Sequence, residues 1–168
     1  QAQSPAEWRR ENTQLGCELI GAGGKPADLE ILRLAAEILS RLNLQSRYCI
    51  TINNVEIFNG VAAQMNLTPA GREQLRSLID TRAAAELQQF LQDYDSRECH
   101  AFSQPTQLTG TRKVIQTARQ LITNARSVAA LDSLDELWTE IESLGLQDLF
   151  EIDLGNGSCL DYYNGLSL

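Results

Sequence analysis

Two short polar stretches of this 168-residue chain contain the side chains best suited to bind a small ligand. In the first, residues 13–20, the amide of Gln14 and the carboxylate of Glu18 lie four residues apart, so on a strand both point to one face. Burying an amide and a carboxylate costs free energy unless both find hydrogen-bond partners. This stretch therefore predicts either a ligand site or a polar network inside the fold.

The second stretch is residues 160–165, near the end of the chain. On a strand, Asp161 and Tyr163 share one face and Tyr162 takes the other. A carboxylate, an amide and a phenol on neighbouring strands can bind an ammonium group together with an imidazole or another polar ring. On spacing alone, a structural polar network or a solvent-facing sheet surface explains the pattern equally well.

The glycine-rich segment that follows the first stretch does not match a nucleotide-binding motif. Gly21, Gly23 and Lys25 lie between a predicted strand and a predicted helix, where a phosphate loop would lie. Pro26, however, takes the place of the third glycine of a dinucleotide fingerprint and of the Ser or Thr of a P-loop. We interpret residues 21–26 as a turn before a helix, and we expect no cofactor.

The cysteines and the single histidine do not form a metal motif. Cys17, Cys49, Cys99 and Cys159 are 32, 50 and 60 residues apart, so no pair has the close spacing that zinc requires. His100 follows Cys99 directly, and adjacent side chains in regular structure diverge. We therefore expect reduced thiols, no metal and no catalytic triad.

Composition narrows the classes of partner. The chain has 14 basic and 22 acidic residues, a net charge of −8 and no run of Lys or Arg, which argues against broad binding to nucleic acid. No stretch approaches the ~18–20 apolar residues of a membrane span, and the first ten residues are too polar for a secretory segment. We expect a soluble cytoplasmic protein.

Hydrophobic periodicity predicts two strands in the first third of the chain, two strands at its end, and helices between them. The predicted strands are residues 13–20, 48–52, 149–154 and 160–168, and the predicted helices are residues 26–43, 55–65, 83–94, 111–124 and 127–144, with one more opening at Pro69 after a Thr68 cap. Residues 95–110 are predicted to form a loop. The Asn156-Gly157 turn favours an antiparallel hairpin between the last two strands, and hence an α+β fold over a doubly wound parallel sheet.

The two polar stretches also resemble a known family. Residues 10–21, Arg-Glu-Asn-Thr-Gln-Leu-Gly-Cys-Glu-Leu-Ile-Gly, resemble the motif 2 strand of histidyl-tRNA synthetases and their paralogues. Residues 159–165, Cys-Leu-Asp-Tyr-Tyr-Asn-Gly, resemble the family's histidine-binding signature, usually Arg-Gly-Leu-Asp-Tyr-Tyr. The resemblance implies the class II synthetase fold, an antiparallel sheet flanked by helices. Residues 1–168 would be part of one such domain, truncated, with a helical insertion over roughly residues 55–124 and a sheet core in residues 1–54 and 125–168.

The resemblance also implies a histidine site. Gln14 would hold the amino group of histidine, and Glu18 and Tyr163 would read the imidazole nitrogens. Asp161 and Tyr162 complete this histidine-binding set. We expect Gln14, Glu18 and Tyr163 to line one pocket on one face of the sheet, with Ser158 at its rim.

One departure from the family pattern separates two subfamilies. Synthetases have an arginine two residues before Leu-Asp-Tyr-Tyr, which offsets charge during adenylation, and this chain has Ser158 there. In this respect the chain resembles the regulatory subunits of ATP phosphoribosyltransferase, which do not charge tRNA. That resemblance implies a short-form catalytic subunit as partner, a role in the first step of histidine biosynthesis, and L-histidine as effector. The alternatives are a fragment of an active histidyl-tRNA synthetase and an unrelated α+β binding module.

Overall fold

The structure, a computed structural model, describes residues 16–17, 19–42, 48–94, 100, 102, 109–155 and 165–167. The elements in these ranges, in chain order, are α1 (Lys25–Arg41), β1 (Ile50–Asn54), α2 (Val55–Gln64), α3 (Pro69–Asp80), α4 (Ala84–Gln92), β2 (Thr109–Gly110), α5 (Lys113–Arg119), α6 (Ala125–Ser143), a 3-10 turn (Gln147–Leu149), β3 (Phe150–Asp153) and β4 (Leu166–Ser167). This content confirms the predicted α+β class.

The described strands form one sheet in the order β2-β3-β1-β4. Strand β1 is parallel to β3, with Ile50 opposite Phe150 and Ile52 opposite Ile152. It is antiparallel to β4, and β2 is antiparallel to β3. A parallel pair needs a long crossover, and the helices α2–α6 that lie between β1 and β3 in the chain provide it.

The predicted hairpin between the last two strands is wrong for the part of the chain that the structure describes. Strand β1 lies between β3 and β4, so these two described strands are not neighbours in the sheet. A hairpin signal reports only local backbone preference. The two inner positions of the sheet go to β1 and β3, whose apolar side chains Ile50, Ile52, Phe150 and Ile152 are all buried.

The predicted first strand, residues 13–20, is not supported where it is described. Gly16, Cys17, Leu19 and Ile20 adopt no strand conformation, and Ile20 is 87% exposed. A strand requires a neighbour for its backbone N–H and C=O groups, and none of these four residues pairs with a strand of the described sheet.

The helix starts follow the polar residues that precede them. Thr68 Oγ1 accepts a hydrogen bond from Gly71 N at 3.1 Å, which confirms the predicted cap of α3. Asn124 Oδ1 accepts from Ser127 N at 2.8 Å, so α6 begins at Ala125 rather than at the predicted residue 127. The helix predicted over 111–124 is shorter, since α5 ends at Arg119.

Helix α6 packs closely against α2, and together they cover the sheet. Ser127 is buried and its hydroxyl donates to the Ile57 carbonyl of α2 at 2.7 Å. Gly60 makes this approach feasible, because a Cβ at that position would lie 2.2 Å from Ser127 Oγ and 2.5 Å from Asn124 Oδ1. Trp138, Leu134 and Ile141 continue the buried face of α6.

We expect Gly60→Ala to lower the free energy of unfolding by about 1–3 kcal/mol, because the added methyl group overlaps Ser127 and the Asn124 cap. Gly23→Ala is the control, since a Cβ there meets no atom within 4 Å. Urea unfolding monitored by Trp138 fluorescence measures both. Equal stability of the two variants would contradict the close contact of α2 with α6.

Candidate functional site

The residues predicted to bind histidine lie outside the described part of the chain. These are Gln14, Glu18, Asp161, Tyr162 and Tyr163, together with Ser158. Their arrangement therefore stays a prediction. Leu19 follows Glu18 directly and Gly165 comes two residues after Tyr163, and the structure does describe these two neighbours.

Both neighbours line one cleft of about 500 Å³. Leu19 and the loop residues 22–24 lie along this cleft, as do Gly165 and Leu166 at the start of β4. The other described lining residues are Asp28 of α1, Asn54 of β1, and Ser133, Leu134 and Leu137 of α6. The volume falls within the ~300–1,000 Å³ range of small-ligand sites.

Gly165 is held at the junction of β1 and α2. The Val55 N–H donates to the Gly165 carbonyl at 2.9 Å, and Asn54 lies opposite Leu166 in the antiparallel register. Gly165 has φ +87°, a left-handed conformation that favours glycine. Asn54 is buried and its Oδ1 accepts from Glu56 N at 3.0 Å, so one residue both pairs with β4 and caps α2. The last residue of the second polar stretch therefore has a defined position at the cleft.

The opposite side of the cleft is the turn before α1. Gly24 has φ +79°, and its carbonyl accepts from the N–H groups of Ala27 and Asp28 at 3.0 and 3.2 Å. Pro26 follows in the first turn of the helix, as predicted. Lys25 Nζ lies 2.5 Å from Glu136 Oε2 of α6, and this hydrogen bond raises the pKa of Lys25.

Asp28 is the one acidic residue among the described residues of the cleft. Burial raises the pKa of its carboxyl group. A carboxylate at the wall of a partly apolar cleft favours a cationic ligand, since an ammonium group would offset the cost of its ionisation.

Sequence reasoning missed a polar cluster at the end of β3. Asp153 Oδ1 accepts hydrogen bonds from Arg82 Nη2 at 2.5 Å, Thr109 Oγ1 at 3.2 Å and Gly155 N at 3.0 Å. An Asp two residues before a glycine is a signal for an Asx turn, and that signal was available in the sequence. The partners Arg82 and Thr109, 71 and 44 residues distant, were not.

Within the described ranges, no group of three or more His, Cys, Asp or Glu side chains is arranged to hold a metal ion. None of the helices described there has the length and apolar character needed to cross a membrane. Cys17 and Cys49 are free thiols, and burial raises the pKa of Cys49. A raised pKa disfavours the thiolate and hence nucleophilic chemistry at that residue.

A family model described as "Histidyl-tRNA synthetase" matches residues 1–168. The chain belongs to the histidyl-tRNA synthetase family. The family resemblance of the two polar stretches is thereby confirmed.

Curated relatives that match the chain include proteins named ATP phosphoribosyltransferase regulatory subunit. An ATP phosphoribosyltransferase regulatory subunit from Clostridium kluyveri is 29% identical over 160 residues, which cover 93% of this chain and 41% of that protein. One of the same name from Syntrophotalea carbinolica is 31% identical over 160 residues, covering 94% of this chain and 37% of that protein. The chain thus spans about two-fifths of the length of these relatives.

Solved structures support the class II synthetase fold. A structure from Bacillus halodurans titled as an ATP phosphoribosyltransferase regulatory subunit/histidyl-tRNA synthetase gives a TM-score of 0.74 at 23% identity, covering 88% of this chain and 39% of that one. The histidyl-tRNA synthetase of Nostoc sp. gives 0.67 at 19% identity, with coverages of 86% and 36%. The ATP phosphoribosyl transferase (HisG:HisZ) complex from Thermotoga maritima gives 0.62 at 15%, with coverages of 87% and 51%.

We expect Asp28→Asn to raise the free energy of unfolding at neutral pH and to change it little at acidic pH. Because the folded-state pKa of Asp28 is raised, the folded state holds the proton more tightly, and stability falls as the pH rises through the unfolded and then the folded pKa. Asparagine does not titrate, so the stability of this variant does not fall with pH through that group.

Denaturant unfolding at a series of pH values measures the effect. Glu30→Gln is the control, since it removes a carboxylate from an exposed position of the same helix. A stability difference between Asp28→Asn and the unaltered chain that does not grow with pH would contradict a raised pKa at this partly buried carboxylate.

Proposed function

We propose that the protein containing this chain is the non-catalytic regulatory subunit of ATP phosphoribosyltransferase, acting in the cytoplasm in the first step of histidine biosynthesis. The observation that carries this proposal is the 29–31% identity to proteins of that name along 93–94% of the chain. Its partner is the short-form catalytic subunit of the same enzyme, and its effector is L-histidine.

Ser158 supports this function over a synthetase. Adenylation places negative charge on the histidine carboxylate and on the α-phosphate of ATP, and the family's synthetases meet it with an arginine at this position. A serine hydroxyl carries no charge, and removal of one such preorganised group costs about 10²–10³ in rate. The net charge of −8 likewise does not favour the binding of tRNA.

Thermodynamic linkage states the condition under which histidine can regulate the enzyme. Histidine can inhibit the assembly only if the inhibited state binds it more tightly than the active state does, and the coupling free energy is the same in both directions. A regulatory subunit that binds histidine without adenylating it can couple histidine binding to the activity of its partner.

We expect ATP phosphoribosyl transfer by the cognate short catalytic subunit to appear only when the full-length protein containing this chain is added. Product formation from ATP and phosphoribosyl pyrophosphate, followed with each protein alone and with both, measures it. Histidine added to the mixture is expected to lower the rate.

The same preparation distinguishes a regulatory subunit from an active histidyl-tRNA synthetase. Histidine-dependent exchange of pyrophosphate into ATP is expected to be absent, because Ser158 replaces the arginine. An unchanged rate on mixing two folded proteins would reject the regulatory role. Robust pyrophosphate exchange would assign the chain to a synthetase.

Within this proposal, Gln14, Glu18 and Tyr163 bind histidine, with Asp161 and Tyr162 beside them. The support is that Leu19 and Gly165, which belong to the two stretches, line the same cleft. Glu18 would accept from one imidazole N–H, the Tyr163 phenol would pair with the other nitrogen, and the Gln14 carbonyl would accept from the amino group.

We expect Glu18→Gln to weaken histidine binding by the full-length protein at least tenfold, since an amide replaces a charged acceptor of the imidazole N–H. Glu86→Gln is the matched control, because Glu86 is exposed on α4. Isothermal titration calorimetry measures both affinities. Equal affinities in the two variants would place the histidine site elsewhere in the assembly.

A further inference from the structure

Arg82 lies in the turn between α3 and α4, inside the predicted helical insertion, yet it contacts the sheet. Its Nη2 is 2.5 Å from Asp153 Oδ1 at the end of β3 and 3.4 Å from Thr109 Oγ1 in β2. The Asp153 side chain is 14% exposed, and the Arg82 side chain 33%. This ion pair therefore joins the insertion to two neighbouring strands from a partly water-excluded position.

The backbone at Arg82 has an unusual conformation. Its φ is +53°, a left-handed value that costs free energy for a residue with a side chain. Hydrogen bonds hold it there: Arg82 N donates to Ile79 O at 3.1 Å, and Ala83 N to Leu78 O at 3.1 Å. A strained backbone conformation of this kind is retained where the placement of the side chain has a role.

The Arg82 side chain carries a second cost. Its Nη1 is buried and has no hydrogen-bond partner among the described residues. A buried donor without a partner is unfavourable, so the residue is not the one that stability alone would select. Arg82 thus combines an unfavourable backbone conformation with a buried, unpartnered Nη1, and its guanidinium donates to Asp153.

Asp153 connects Arg82 to the chain that leads into the second polar stretch. The same Oδ1 atom that receives the Arg82 hydrogen bond accepts from Gly155 N at 3.0 Å. Gly155 precedes Ser158 by three residues and Asp161 by six. The Asp153 carboxylate therefore accepts the hydrogen bond that closes the turn immediately after β3, at Gly155.

We propose that Arg82 is a positioning residue for the histidine-binding stretch: through Asp153 it fixes the Gly155 turn, and so a residue of the helical insertion controls histidine affinity without touching the ligand. This rests on the proposed function for the identity of the ligand. Asp153 is the intermediary, and Arg82 keeps its carboxylate in the orientation that receives Gly155 N–H.

The test compares histidine affinity of the full-length protein by isothermal titration calorimetry in four variants. Arg82→Met is expected to weaken histidine binding about tenfold, within the usual range of coupling between sites. Arg82→Lys, which keeps the positive charge, is expected to recover part of that loss. Asp153→Ala, which removes the acceptor of both hydrogen bonds, is expected to weaken binding at least as much as Arg82→Met, and the double variant to be no weaker than Asp153→Ala alone, because both act through one interaction.

Arg112→Met is the matched control. Arg112 Nε pairs with Asp135 Oδ1 at 2.6 Å, at comparable side-chain exposure of 36% and 28%, but this pair joins the start of α5 to α6. A purely structural ion pair at Arg82 predicts the same pattern for both variants: a lower melting temperature and unchanged histidine affinity. That result would overturn the proposal.

Amide hydrogen exchange of Gly155 separates positioning from ligand identity. Arg82→Met is expected to speed exchange of this amide at least fivefold relative to Arg112→Met, since its acceptor is no longer held in place. If the unaltered protein does not bind histidine, the ligand assignment fails, and the Gly155 exchange rate alone decides whether Arg82 positions the turn. Equal exchange in the two variants would reject it.

Discussion

The structure depends on the pairing of β1 with strands on both of its sides. Residues 50–52 form a parallel ladder with β3, and Asn53 and Asn54 form an antiparallel ladder with β4, so this strand has a paired neighbour on each side. Ile52 has no exposed surface, and Asn53 and Asn54 are buried as well. Buried amides require partners, which Asn54 finds by capping α2. The strand thus sets the position of the helix that follows it and of the chain segment that leaves the second polar stretch.

The cleft exists because several elements meet at the end of this strand. Helix α6 lies against α2 through the Gly60 and Ser127 contact, and its middle residues Leu134 and Leu137 provide the apolar wall. The turn before α1 is joined to α6 by Lys25 and Glu136, an exposed pair that contributes orientation more than stability. Asp28 contributes a carboxylate whose pKa is raised by burial. A cleft of this composition suits a small polar ligand with a cationic group, and histidine is such a ligand.

Local signals predicted the helices well and the sheet poorly. The Thr68-Pro69 start of α3 and the Gly145 end of α6, where φ is +69°, depend on hydrogen bonds within a few residues, and both are observed. The parallel pairing of β1 with β3 joins residues about 100 positions apart, and no local pattern encodes it. The two-residue strand β2 is too short to have a periodicity, and it lies at the end of the stretch predicted as a loop. The Asn156-Gly157 signal indicated a turn, but a turn does not decide which strand lies next to β3.

The sequence by itself determined the α+β class, the starts of α2 and α3, and membership of the histidyl-tRNA synthetase family, because these follow from side-chain periodicity, capping chemistry and short motifs. The candidate histidine-binding residues, from Gln14 to Tyr163, likewise come from sequence and stay predictions. Only the tertiary structure decided that described residues of both polar stretches line one cleft, and that Arg82, in the turn between α3 and α4, contacts Asp153. Such long-range contacts depend on how the buried faces pack across the whole core. Packing is determined by many residues together, so no single stretch of sequence predicts it.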